Sequence, residues 1–136
     1  MQALTFAALA AANNSRYRKW HMVDNEMDPD IPNGMGRWSL SDWCTACLGE
    51  LGEAANFIKK LNRHKAGMAG NKGLTEEQLR FALAEELADV AIYLDLLAQA
   101  AGIDLGKEII TKFNSTSIVN GFPERLGDEA IQHHQV

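Results

Sequence analysis

Two stretches of the chain carry one acidic pattern at an offset of 36 residues (Glu50 to Glu86). The first reads Glu50-Leu51-Gly52-Glu53 with Phe57 beyond it; the second reads Glu86-Leu87-Ala88-Asp89 with Tyr93 beyond it. A helix brings residues three apart onto one face, so each stretch presents a pair of carboxylates side by side. If the two helices pack together, four carboxylates converge with no neutralising partner built in. Such a cluster is costly unless cations fill it, and hard divalent ions such as Mg2+ prefer oxygen ligands of this kind. The competing explanation is a set of surface acids held by Lys or Arg one turn later. Ala54, Phe57, Val90 and Tyr93 occupy those positions, so that explanation lacks its partners. At about 100° per residue, Glu50 lies only about 20° from Trp43 and Leu61, and Glu86 only about 20° from Leu79 and Leu97. The first acid of each pair therefore borders an apolar stripe, and the second lies one step further out.

Helical periodicity dominates the elements that must hold these acids, with no alternating strand pattern. A first helix is expected from Leu4 to His21, and Asp24 to Gly36 reads as a loop rich in proline, glycine and acids. Ser39 opens a second helix with Asp42 as an imperfect capping box, and Trp43, Cys47, Leu51, Ala54, Ile58 and Leu61 trace its core stripe. Asn62 to Leu74 reads as a connection. Thr75 to Gln78 forms a capping box for a third helix that runs to Ala101 and stops at Gly102, with Leu79, Leu83, Leu87, Val90, Leu94 and Leu97 as its stripe. A fourth helix spans Leu105 to Ser117 and is broken by Gly121-Phe122-Pro123. The expectation is an all-α bundle of four to five helices. Residues 1–123 form one domain, and 124–136 a poorly ordered tail.

Composition narrows the classes. A chain of 136 residues can bury a core as one domain, and 46% hydrophobic against 23% charged residues is ordinary for a soluble protein. The net charge of −5 argues against a nonspecific nucleic-acid or membrane-surface binder. The apolar run Leu4–Ala12 has no basic leader and continues into Asn13-Asn14-Ser15-Arg16, so it reads as a helix rather than a signal peptide; a cytoplasmic location is the expectation. Cys44 and Cys47 form a lone CxxC without a second cysteine pair, and read as small packing residues rather than a zinc or redox site. His64 reads as a solvated loop residue, and His133 and His134 as tail features.

With these residues in place, the chain resembles the MazG-like all-α NTP pyrophosphatases, whose signature is ExxE followed on a later helix by ExxD. Glu50-x-x-Glu53 and Glu86-x-x-Asp89 match it. The segments Leu48–Leu61, Glu85–Ala98 and Lys112-Phe113-Asn114 through Gly121-Phe122-Pro123 resemble the family's blocks in order, covering about Trp38 to Pro123. The connection between the acid pairs is longer than is usual for the family. The resemblance implies Mg2+-dependent hydrolysis of a nucleoside triphosphate between the α and β phosphates, with Mn2+ able to stand in for Mg2+. Glu50, Glu53, Glu86 and Asp89 would be metal ligands, with Glu53 or Glu50 orienting or deprotonating the attacking water. Lys60, on the acidic side of its helix, and Tyr93 are candidate phosphate donors. Lys112 and Asn114 are placed near the phosphates by resemblance to the family's KxN element. Trp38, Trp20 and His21 lie where relatives place base-recognition residues. The resemblance, with the apolar surface of the first and third helices, also implies a homo-oligomer, dimer or tetramer.

The alternatives differ in class. A catalytically silent, metal-dependent nucleotide-binding or regulatory module would need fewer acids than the full set. A di-iron carboxylate bundle would need Glu-x-x-His on its helices, and neither Glu53 nor Asp89 is a histidine.

Overall fold

The structure is a computed structural model that describes residues 3–21 and 38–127. Among the described residues the chain is all-helical, with four helices and no strand. They are α1 (Phe6–His21), α2 (Leu40–Lys65), α3 (Glu76–Ala100) and α4 (Leu105–Asn120). No helix among them is long and apolar enough to cross a membrane. The loop expected from 24 to 36 and most of the tail lie outside the described residues.

Local chemistry fixes the ends of the long helices. Ser39 N–H donates to Asp42 Oδ2 (2.8 Å) while Asp42 N–H donates to Ser39 Oγ (3.2 Å), so the capping box at α2 is complete despite its short acid. Thr75 and Gln78 close the same reciprocal pair at α3. α2 runs to Lys65, past the expected end of its stripe, because Arg63, His64 and Lys65 place positive charge at the negative end of its dipole. The helices α3 and α4 stop at Gly102 and Gly121, both at φ 70°, where a side chain would be strained. In each case the following N–H reaches back to the last turn, Ile103 to Ala98 O and Phe122 to Ser117 O, satisfying carbonyls the helix leaves open. α4 extends to Asn120, three residues beyond its expected end.

Most of the packing is between α2 and α3. Cys47 Sγ donates to Val90 O (3.7 Å), and the Trp43 and Tyr93 rings are 6.5 Å apart. These level pairs make the two helices an antiparallel hairpin. α1 crosses α3 and contributes Tyr17 to a core whose centre is Trp43. Trp43 is fully buried, with Trp38 at 4.6 Å and Tyr17 at 5.4 Å between ring centroids. Asn114 is buried on α4. Its Nδ2 donates to Leu126 O (3.0 Å) and its Oδ1 accepts from Leu126 N–H (2.8 Å), which pins the first residues of the tail to the domain.

The core is narrower than the stripes suggested. Leu79, Ala54 and Leu61 are buried, but Leu51, Ile58, Leu87 and Leu94 are 41–49% exposed. These four lie about 60–80° beyond the centre of the α2–α3 contact. A hairpin only two helices wide covers the middle of each stripe and leaves its edge open. Leu40 and Leu48 extend this open edge along α2.

Candidate functional site

Glu50 sits in the middle of α2, and Glu86 and Asp89 in the middle of α3. Antiparallel packing brings their carboxylates together, each offering an oxygen within 4.8 Å of the others. Glu50 and Glu86 are close enough to hydrogen-bond through their side chains. Two carboxylates in such contact hold a proton more readily than either would alone.

The electrostatics follow from that crowding. Burial and the neighbouring charges of Asp89 and Glu53 raise the Glu50 pKa, although the Glu86 hydrogen bond pulls it back. Burial also raises Glu86, followed by the charges of Glu53, Glu50, Asp89 and Glu85. The Cys47 thiol, one turn before Glu50, is raised by burial and by the charges of Cys44 and Glu50. It stays a neutral packing group, not a thiolate ligand. Among the described residues no Lys or Arg forms an ion pair with the triad; the pair of Arg80 with Glu76, at 2.8 Å, lies elsewhere on α3. A cluster of oxygen-only donors with raised pKa values suits a hard divalent cation, which would displace any such proton.

The structure therefore gathers three of the four expected acids. Glu53 is exposed and stands outside the triad, one turn along α2 from Glu50. Its charge still reaches the site, where it leads the charges acting on Glu86.

Beside the triad lies a cavity of about 250 Å3 between α1 and the α2–α3 hairpin. Glu50 and Asp89 form one end, and Tyr17, Trp43 and Tyr93 supply aromatic walls together with Ile92 and Leu96. Asn13 and Arg16 line it from α1. Of the residues expected to hold a nucleotide, Tyr93 faces this cavity. Trp38 packs on Trp43 and does not line it. Lys60 places its Nζ 4.4 Å from the centre of the Phe57 ring, a cation–π contact that holds it along α2. Lys112 and Asn114 are on α4 and do not line the cavity, and the Asn114 amide is engaged with Leu126 on both its atoms. The side chains of Trp20 and His21 lie outside the described residues.

Asn13, Arg16, Tyr17 and Trp43 were not singled out as site residues from the sequence. Asn13-Asn14 in the middle of an alanine-rich helical run was the available signal, since amides lower helix propensity and have to be compensated where they are buried. No protein-family model matches the chain, and comparison with characterised proteins and with solved structures returns no match either.

Proposed function

We propose that the protein is a Mg2+-dependent nucleoside triphosphate pyrophosphohydrolase of the MazG-like type, releasing a nucleoside monophosphate and pyrophosphate for control or cleansing of the nucleotide pool. One observation carries this reading: a carboxylate triad from two antiparallel helices opens directly into an aromatic-walled cavity of nucleoside size. An ion at the triad and an organic ligand in the cavity would lie end to end, as a triphosphate requires.

Glu50, Glu86 and Asp89 would hold the metal. When bound, Mg2+ supplies the positive charge that lets a polyanion approach the acids and the Lewis acidity that polarises its phosphoryl oxygens. The chain's own residues do the rest. Glu53 is exposed, one turn from the triad, and free of the metal-binding geometry. It is placed to orient the attacking water and to hold its proton. The Tyr93 hydroxyl is available as a phosphate donor at the cavity. The aromatic walls hold the base by stacking, which accepts any base by its π face.

The reading extends to assembly. Leu40, Leu48, Leu51 and Ile58 on α2 and Leu87 and Leu94 on α3 are all exposed by 41–61%. They lie on the side of the hairpin away from the acids, and an apolar face of this extent suits a second copy of the chain. Lys112, on α4, would take part in phosphate binding only through such a neighbour, and Asn114, with its amide engaged by Leu126, would support α4 instead.

The test is pyrophosphate release from a panel of standard and modified NTPs and dNTPs, with Mg2+ and with EDTA. Mg2+-dependent release with matching monophosphate is the expected result. A folded, Mg2+-loaded protein that releases pyrophosphate from none of them would refute the hydrolase reading.

A further inference from the structure

Asp95 is a charged residue that the acidic site does not use. It is 2% exposed, in the middle of α3, about 180° around the helix from Glu86. A buried carboxylate must be satisfied by donors. Here Asp95 Oδ2 accepts from Asn13 Nδ2 at 2.8 Å and from Gln99 Nε2 at 2.7 Å. Gln99 Nε2 also donates to Ala10 O (3.2 Å), and its Oε1 accepts from Asn14 Nδ2 (3.4 Å). The network ties the middle of α1 to α3 at a fixed register.

Its consequence falls on Asn13. That side chain is 3% exposed and lines the cavity. Its Nδ2 also donates to Ile92 O at 3.3 Å. An ionised carboxylate and a backbone carbonyl can only accept, so the amide has one permitted orientation. Oδ1 is then the atom left over. Among the described residues nothing donates to it. Asn13 lines the cavity, so this acceptor is open to a donor on a ligand.

We propose that the cavity selects nucleotides whose base carries an exocyclic amino group, as cytosine and adenine do. Asn13 Oδ1 is the acceptor that reads that group, and Asp95 is the positioning residue that holds the Asn13 amide the right way round. The inference rests on the nucleotide reading above. A base amino group supplies the donor that Oδ1 lacks. The keto counterpart, in uracil or hypoxanthine, sets acceptor against acceptor. Arg16, one turn along α1 and in the same cavity, adds a donor side chain that complements the ring nitrogen and carbonyl acceptors beside a cytosine amino group. Stacking on the partly exposed Tyr93 ring leaves the base edge to be read this way, while Glu50 and Asp89 fix the phosphate end.

The experiment is calorimetric titration of the full chain, with Mg2+, against the near-isosteric pairs dCMP and dUMP, and dAMP and dIMP. The amino member of each pair is expected to bind more tightly, by on the order of tenfold or more. Asn13→Ala should bring the two members of a pair close to equal. Asp95→Asn is nearly isosteric and keeps an oxygen for Gln99, but its own amide can donate, so Asn13 is released to turn over. It should collapse the preference while circular dichroism shows the helices intact. Equal binding by the wild type, with pyrophosphate release intact, overturns the selectivity and leaves the hydrolase reading standing. A preference that survives in Asp95→Asn overturns the positioning role. No binding and no pyrophosphate release with any nucleotide removes both readings together.

Discussion

Asp89→Asn separates the metal role of the triad from its place in the fold. The triad's ligand oxygens lie within 4.8 Å of one another. Oxygens on opposite sides of one Mg2+ are about 4.2 Å apart, at about 2.1 Å from the ion each. Adjacent ligands are only about 3.0 Å apart, and at most one pair of the three can be opposite. Closing the cluster onto an ion thus draws oxygens together by up to roughly 2 Å, about 1 Å per carboxylate, within the reach of side-chain torsions. An ion that binds only the folded state adds about 2.7 kcal/mol at a hundred times its Kd. For a chain of this length that is a rise in Tm of roughly 10 °C. The assay is thermal unfolding at fixed protein concentration, in Mg2+ and in EDTA, with ionic strength matched by a monovalent salt. Wild type should show the full shift. Asp89→Asn should lose most of it, yet melt no lower than wild type in EDTA, because it removes a charge from a cluster that repels itself. Glu53→Gln should keep most of the shift and lose turnover, since Glu53 stands outside the triad. A full Mg2+ shift in Asp89→Asn, or none in the wild type, would refute the reasoning.

Glu50 and Glu86 bind protons more tightly folded than unfolded, so metal-free stability is greatest below the ordinary carboxyl range and falls as pH rises through the raised folded values. Tm measured against pH in EDTA should decline over that window and the decline should vanish in Mg2+; a Tm rising across it in EDTA would count against the raised values. Trp43 is fully buried among three other rings, and Trp43→Ala should cost about 3–5 kcal/mol in urea denaturation; a loss under about 1 kcal/mol would mean the core is elsewhere. Sedimentation at micromolar concentration should show a dimer or larger species that Leu48→Glu or Leu51→Glu dissociates, and a monomeric wild type would remove the second copy from the apolar face.

The helices were legible because their signals are local. Ser39 with Asp42, Thr75 with Gln78, and the glycines at 102 and 121 each act within one turn, so the residues alone place those ends well. The triad was legible for a related reason: equal spacing within two helices predicts equal angular positions. What failed to show is what depends on a third element. The crossing of α1 creates the cavity, and the Asn13-Asn14 amides in a run of alanines mark a polar site to be compensated without saying that Asn13 and Arg16 will line that cavity. The Asp95 network spans 82 residues between its partners and leaves no periodic trace. Trp38 is the opposite case, an aromatic expected beside the site by sequence whose ring packs on Trp43.

The repeated pattern also explains why acids and apolar edges separate so cleanly. Two antiparallel helices that meet through the same angular position turn in opposite senses when viewed from one end. Residues at equal angles then fall on the same side of the hairpin. Glu50, Glu86 and Asp89 share one side for this reason, while Leu51 and Leu87, each about 100° from the first acid of its own segment, share the other. One sequence pattern used twice thus gives an acidic face and an apolar face back to back. Moving either acid pair by one residue would swing it about 100° and send it from the cluster toward solvent or the apolar edge. The arrangement constrains any function: the acidic face can be charged and open because burial of apolar surface is assigned to the opposite face, where a second copy would complete the core the single chain leaves unfinished.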